Sequence, residues 1–153
     1  MSGELSPQWM ANDHGPSGFD GPEGFDEVNL IVQDGNYGWP TAFGVATGRG
    51  KYLVPLEVYR QPIAPSGATF LRQPSLWTGS YVLASLRGQA LRRLELSDGR
   101  IVLDEPLLTS QYGRLRTVRE GPDGCIYVLT SNRDGRGNPA AADDRILCVM
   151  PPR

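Results

Sequence analysis

The sequence predicts an all-β protein built from short antiparallel strands, and three observations carry that expectation. The chain holds 19 glycines and 13 prolines among 153 residues, spread between apolar runs, so a helix breaker interrupts nearly every window long enough for a helix. The apolar runs have the length and the β-branched or aromatic content of strands. Between them stand tight-turn residues rather than low-complexity tracts.

From the N-terminus, "ELSPQWMAN" (4–12) reads as a strand, followed by a Gly/Pro-rich acidic loop and a second strand, "DEVNLIVQ" (26–33). A "DGNYGWP" turn precedes a third, "YLVPLEVY" (52–59). Seven further runs follow: "ATFL" (68–71), "SYVLASL" (80–86), "ALRRLEL" (90–96), "RIVLDEPLL" (100–108), "LRTVRE" (115–120), "CIYVLTS" (125–131) and "RILCVM" (145–150). Asp98 and Gly99 in "LSDGRI", and Asp123 and Gly124 in "GPDGCI", have the chemistry of hairpin turns. Leu91, Leu94 and Leu96 alternate imperfectly, but no helix cap opens their segment and it is short for a helix.

The four-strand series starting at Ala64 begins again near Leu115, a step of about 50 residues, the repeat length of a β-propeller blade. The N-terminal strands fit an earlier, incomplete blade. The expected architecture is a single partial β-propeller domain over residues 1–153, with about two and a half to three four-stranded antiparallel blades against the roughly four to eight of a closed ring. N-terminal blades are expected to be absent. The exposed edges of such an arc point to self-association or to pairing with the missing blades.

With 15 basic and 17 acidic side chains the net charge is -2, which gives no electrostatic case for nucleic acid. No apolar run has the length of a membrane span, and "MSGELSPQW" lacks the regions of a signal peptide. Cys125 and Cys148 fall in neighbouring strands, so a cross-strand disulfide is geometrically possible; two buried thiols are the blander alternative.

Two stretches carry chemistry. Residues 11–30 hold five acidic groups, four glycines and the chain's one histidine, His14. An irregular loop of this kind can turn main-chain carbonyls toward a calcium ion, though a solvated acidic loop would look the same. Arg114 and Arg116 are separated by one residue on a predicted strand and so face the same side. Paired guanidiniums suit a planar polycarboxylate, but such arginines also commonly pair with nearby carboxylates.

Taken in order, "NDHGP" (12–16), "DEVNLIVQDGNYGWP" (26–40), "IAPSGATF" (63–70), "RLRTVREGPDGCIYVLT" (114–130) and "NRDGRGNPAAADDRI" (132–146) resemble the glucose/sorbosone dehydrogenase family. These are soluble six-bladed propellers that use pyrroloquinoline quinone (PQQ) and Ca2+ to oxidise aldose sugars. The resemblance is to the C-terminal part of a family member. It implies that the carbonyls of Gly15 and Pro16 hold the calcium beside PQQ, and that Asp26 and Glu27 help bind a structural calcium. It implies that Arg114 and Arg116 contact the quinone acids, with Arg87 standing where the family more often has lysine. Tyr59 or Arg60 occupies the neighbourhood of the family's stacking tryptophan and could cover the ring. The "SGFDGPEGF" insertion makes the loop longer than the family's.

The family's general-base histidine belongs to an earlier blade, so His14 is not expected to fill that role. Asp143, Asp144 and Arg145 are expected to form local caps and ion pairs, and Trp9, Trp39 and Trp77 to pack between blades rather than platform sugars. The expected function is the C-terminal part of a PQQ- and calcium-dependent sugar dehydrogenase, an oxidoreductase that transfers hydride from an aldose to the quinone and then reduces an external electron acceptor. The isolated chain is expected to be inactive. The family implies a periplasmic or extracellular location. Two other readings stand beside it: a non-catalytic propeller that binds sugar or protein, and a calcium lactonase-type propeller, for which no clear axial set of Asn, Asp and Glu is visible.

Overall fold

The computed structural model describes residues 9–45 and 50–153. The first five residues of the expected N-terminal strand lie outside that range. The chain divides into two compact units, Met1–Pro62 and Ile63–Arg153. Among the described residues there are ten strands and no helix, as the density of turn formers dictates.

The first unit is a three-stranded antiparallel sheet of β1 (Trp9–Asp13), β2 (Asp26–Ile31) and β3 (Glu57–Tyr59), with β2 central. Its register sets Asp13 opposite Glu27 and Asp26 opposite Tyr59. Residues 26–29 of β2 are all buried, so the polar side chains of Asp26, Glu27 and Asn29 are carried into the interior on either side of Val28. Phe25 and Phe43 pack with ring centroids 5.5 Å apart beside this strand.

The second unit contains two sheets. β4 (Pro65–Phe70), β5 (Tyr81–Ser85), β6 (Ala90–Ser97) and β7 (Arg100–Leu107) form a sequential four-stranded meander. β8 (Leu115–Glu120), β9 (Ile126–Thr130) and β10 (Ile146–Val149) form a three-stranded one. The seven strands expected from Ala68 onward are present, whereas the expected 52–59 strand is reduced to Glu57–Tyr59. Leu71, just after β4, and Val82, Ala84 and Leu91 of the first sheet meet Leu115, Val118, Ile126 and Val128 of the second in one buried cluster. The two sheets approach so closely at Gly67 that a Cβ there would stand 2.1 Å from Thr117 Oγ1.

Local chemistry explains the turns. Asp98 and Gly99 join β6 to β7 with φ of 49° and 70°, the paired left-handed conformation that matches the twist of a two-residue hairpin. The imperfect alternation of β6 also resolves: Leu91 lies in the cluster between the sheets, while Leu94 is fully buried on the opposite face. A strand covered on both sides does not need a polar face.

The cysteines depart from the thiol alternative. Cys125 and Cys148 form a disulfide, with Cα atoms 5.6 Å apart, across the β9–β10 edge. β10 pairs antiparallel with β9, Cys148 lying opposite Tyr127, and that register brings the residue just before β9 within bridging distance.

Candidate functional site

In the first unit the acidic loop folds back on β2. The Gly15 amide donates to Asp26 Oδ1 at 2.9 Å, and the Gly24 amide donates to the Pro16 carbonyl at 3.2 Å. A Cβ on Gly15 would lie 1.9 Å from the Gly24 carbonyl oxygen, so only glycine permits this close crossing. Gly15 and Asp26 are thus brought together. Asp26 and Glu27 are not: as adjacent strand residues they project to opposite faces.

Glu27 instead shares a face with Asn29 and with its cross-strand partner Asp13. Asn29 Nδ2 donates to Asp13 Oδ2 at 3.1 Å and to Glu27 Oε2 at 3.3 Å, and Glu27 Oε1 accepts the Gly44 amide at 2.6 Å. Asn29 is fully buried, yet its Oδ1 has no hydrogen-bond donor among the described residues. An orphaned interior oxygen is costly and is satisfied by a cation or a water. Asp13 and Glu27, which accept from the other end of the Asn29 amide, line a cavity of about 250 Å³ together with His14, Gly15, Tyr37 and Trp39.

These are the hard oxygen donors that calcium takes, and they fit it in kind. Among the described residues no group of three or more His, Cys, Asp or Glu side chains forms a ready metal cluster, so main-chain oxygens would have to complete the shell. Tyr59 is half-buried at the end of β3 and Arg60 is exposed just beyond it. Asp13 and Asn29 were not singled out by sequence; their signals are the hairpin register opposite Glu27 and the two-residue spacing from it.

In the second unit Arg114 and Arg116 do converge. Arg114 donates through Nε (3.0 Å) and Nη2 (2.9 Å) to Asp134 Oδ2, and Arg116 Nη2 lies 3.2 Å from the same oxygen. Ser131 Oγ is 3.3 Å from that oxygen too, while Asp134 Oδ1 accepts the Arg136 amide at 2.9 Å. The hydrogen bond from Arg114, then that from the Arg136 amide, holds the Asp134 carboxyl below the usual carboxylate range. Arg114 is largely buried, with 11% of its side chain exposed; Arg116 keeps 47%. Two guanidiniums against one carboxylate leave the group net positive.

Asn132 pins the start of β8 by accepting the Arg114 amide at 2.8 Å and donating to the Tyr112 carbonyl at 2.8 Å. Asp143 pairs with Arg145 at 2.8 Å and caps the Ala140 amide, while Asp144 accepts the Asn132 amide, so this loop does form the expected caps and ion pair. Arg87 is exposed in the β5–β6 turn, its amide donating to the Ile63 carbonyl. Trp77 packs on the core with the Arg93 guanidinium 5.2 Å above its ring, whereas Trp9 and Trp39 are largely exposed. Asp134 escaped the sequence reading, although it lies in the turn-rich "NRDG" segment.

An all-β chain of sequential antiparallel sheets has the architecture of propeller blades. Residues 6–141 match the Glucose / Sorbosone dehydrogenase family, and the chain belongs to it. A Thermus thermophilus protein described as a putative oxidoreductase (glucose dehydrogenase) is 46% identical, with a TM-score of 0.79 over 92% of this chain and 41% of its own. The PQQ-bound form of aldose sugar dehydrogenase from Streptomyces coelicolor is 34% identical, with a TM-score of 0.78 over 92% of this chain and 39% of its own. Aldose sugar dehydrogenase YliI of Escherichia coli K12 is 28% identical over 141 residues, which are 83% of this chain and 36% of that protein. The chain spans about a third of the length of the curated relatives it matches, 31% and 36%. Its three antiparallel sheets are accordingly blades of a partial β-propeller.

Proposed function

We propose that the chain contributes cofactor-holding blades to a PQQ- and calcium-dependent aldose dehydrogenase. The observation that carries this reading is the convergence of Arg114 and Arg116 on one carboxylate oxygen with a net positive charge left over. A planar acid with several carboxylates complements that charge, and the PQQ-bound Streptomyces relative supplies the kind of acid.

When bound, PQQ would supply the hydride-accepting carbonyl and calcium the charge that polarises it. The chain's own residues bind and orient. Arg116 offers the more exposed guanidinium to a quinone carboxylate, and Arg114 stands behind it; Arg87 adds a third cation. Tyr59 or Arg60 covers a ring face. The carbonyls of Gly15 and Pro16 hold a calcium ion, and Asp26 and Glu27 serve a structural calcium, with Asp13 and Asn29 beside Glu27.

No proton-abstracting role falls to His14, so the chain alone is inactive and the base comes from elsewhere in the full enzyme. The substrate is an aldose, the electrons pass to an external acceptor, and the blades pair with further blades or with another copy. The disulfide favours an oxidising compartment, in line with a periplasmic or extracellular enzyme. No helix among the described residues is long and apolar enough to cross a membrane. A non-catalytic binding propeller is the second reading, favoured by the fact that Asp134 already occupies Arg114's Nε and Nη2.

Absorbance titration with PQQ in the presence of calcium tests the first reading. Saturable binding is expected, weakened roughly tenfold or more by Arg116→Ala, the effect of losing one charge-assisted hydrogen bond. Affinity unchanged in Arg114→Ala and Arg116→Ala would overturn it. Aldose-dependent dye reduction at enzymatic rates by the chain alone would overturn the inactivity.

A further inference from the structure

We infer that Asp134 is a positioning residue, an internal anion that draws the Arg114 and Arg116 guanidiniums together and aims the more exposed one at an acidic ligand. The inference rests on the proposed cofactor reading, and it assigns a role to a side chain outside that reading's set of ligand contacts.

Two guanidiniums held close together repel each other, and a flexible arginine samples many rotamers. Here both point to a single atom, Asp134 Oδ2, at 2.9 Å and 3.2 Å for the two Nη2 groups. The convergence is not a product of regular strand geometry, because β8 has a register irregularity between Leu115 and Thr117, around Arg116 itself. It is imposed from the facing loop. There, Asp134 is fixed by the Arg136 amide on Oδ1 and by Ser131 on Oδ2. The same loop closes over the Arg114 stem: a Cβ on Gly137 would lie 2.9 Å from Arg114 Cδ. Arg114 is therefore clamped by loop and carboxylate.

Arg116 differs. Among the described residues only its Nη2 makes hydrogen bonds, to Asp134 and to Ser131 at 3.4 Å. Its Nε and Nη1 remain to meet a ligand. Asp134 thereby fixes one edge of the guanidinium and presents the other, which lowers the ordering cost of binding.

Electrostatics alone and positioning predict opposite signs, and this makes the role testable. If Asp134 merely dilutes the positive charge, Asp134→Asn raises the net charge and tightens PQQ binding. If it positions, the same change loosens binding. The experiment is a double-mutant cycle on the full chain, with PQQ plus calcium titrated into wild type, Asp134→Asn, Arg116→Ala and the double variant. Thermal unfolding and the arginine Nε–H resonances are recorded for each.

The expected result is about tenfold weaker binding for Asp134→Asn in the Arg116 background and less than about twofold in Arg116→Ala, with the Arg116 Nε–H signal broadened or shifted by Asp134→Asn. Tighter or unchanged binding in Asp134→Asn overturns the inference while leaving the cofactor reading intact. Equal losses in both backgrounds mean a merely structural role and also overturn it. Wild-type chain that binds no PQQ removes the cofactor reading, and the inference with it. Should Asp134→Asn fail to fold, Asp134→Glu and Ser131→Ala replace it in the cycle, with weaker binding again required only in the Arg116 background.

Discussion

The Gly15 amide donates to Asp26 Oδ1 across eleven residues of chain, at 2.9 Å, and this bond ties the acidic loop to the central strand of its sheet. Asp26 is only 3% exposed, so its loss would strand a partly buried donor. Asp26→Ala is expected to destabilise the chain by about 1–3 kcal/mol in urea unfolding, and Asp26→Asn, which keeps an acceptor oxygen, by clearly less. Gly15→Ala should be as damaging as Asp26→Ala, because its Cβ meets backbone rather than a side chain that can swing away. Equal stability of Gly15→Ala and wild type would contradict the close crossing.

The orphaned Asn29 Oδ1 beside Glu27 and Asp13 predicts a response to calcium. Added calcium should raise the Tm and EDTA should lower it, by mass action on the folded state. Glu27→Gln should abolish most of that shift. A Tm indifferent to calcium in wild type would count against the proposed structural site.

Gly67 and Thr117 mark where the two sheets of the second unit come closest, the distance from a Gly67 Cβ to Thr117 Cα being 2.8 Å. Gly67→Ala must push strands apart and is expected to cost about 1–3 kcal/mol. Thr117→Gly removes the Oγ1 and Cβ that crowd the site, and combining it with Gly67→Ala should cost less than the sum of the two single changes. Strict additivity would show that the sheets do not touch there.

The disulfide closes a loop of sequence separation 23, for which chain entropy gives about 3 kcal/mol of stabilisation. Denaturant unfolding with and without reductant, and of the Cys125→Ala/Cys148→Ala variant, should both show a loss of that order. Identical midpoints with and without reductant would mean that the bridge contributes nothing.

Acid should weaken the fold in a definite window. Asp123, Asp134 and Asp143 are held below their ordinary range, first by the Tyr127 hydroxyl, the Arg114 guanidinium and the Ala140 amide respectively. Carboxyls depressed in the folded state contribute stability that is complete above the unfolded value, about 3.9, and is lost as pH falls through the folded value. Urea midpoints should therefore fall below about pH 4, and Asp134→Asn should make that fall shallower. A midpoint that rises between about pH 5 and about pH 3 would contradict the sign.

Much of the fold was legible because strands and tight turns are encoded locally. The Asp98–Gly99 turn needs two left-handed residues, and that requirement is written in two adjacent letters. The nearness of Arg114 and Arg116 was legible from their spacing, but alternation does not explain it: Arg114 precedes β8, the register is irregular around Arg116, and the two guanidiniums meet at an oxygen of the facing loop. The pairing of Asp143 with Arg145 was likewise local. The separation of Asp26 from Glu27 is also a strand property, but the family pattern groups them and so masked it.

Residue types and their spacing alone determined the all-β class, most of the strand positions and the hairpin turns, and the ordered motifs carried the resemblance to the family. Tertiary structure decided which distant groups meet: Asp134 with the arginine pair, Asp13 and Asn29 with Glu27, Gly15 with Asp26, and Cys125 with Cys148. Periodicity reports only which face a side chain takes within its own strand. Register between strands and the path of a returning loop depend on packing the whole sheet, and those set the distances at which charges, oxygens and sulfurs interact.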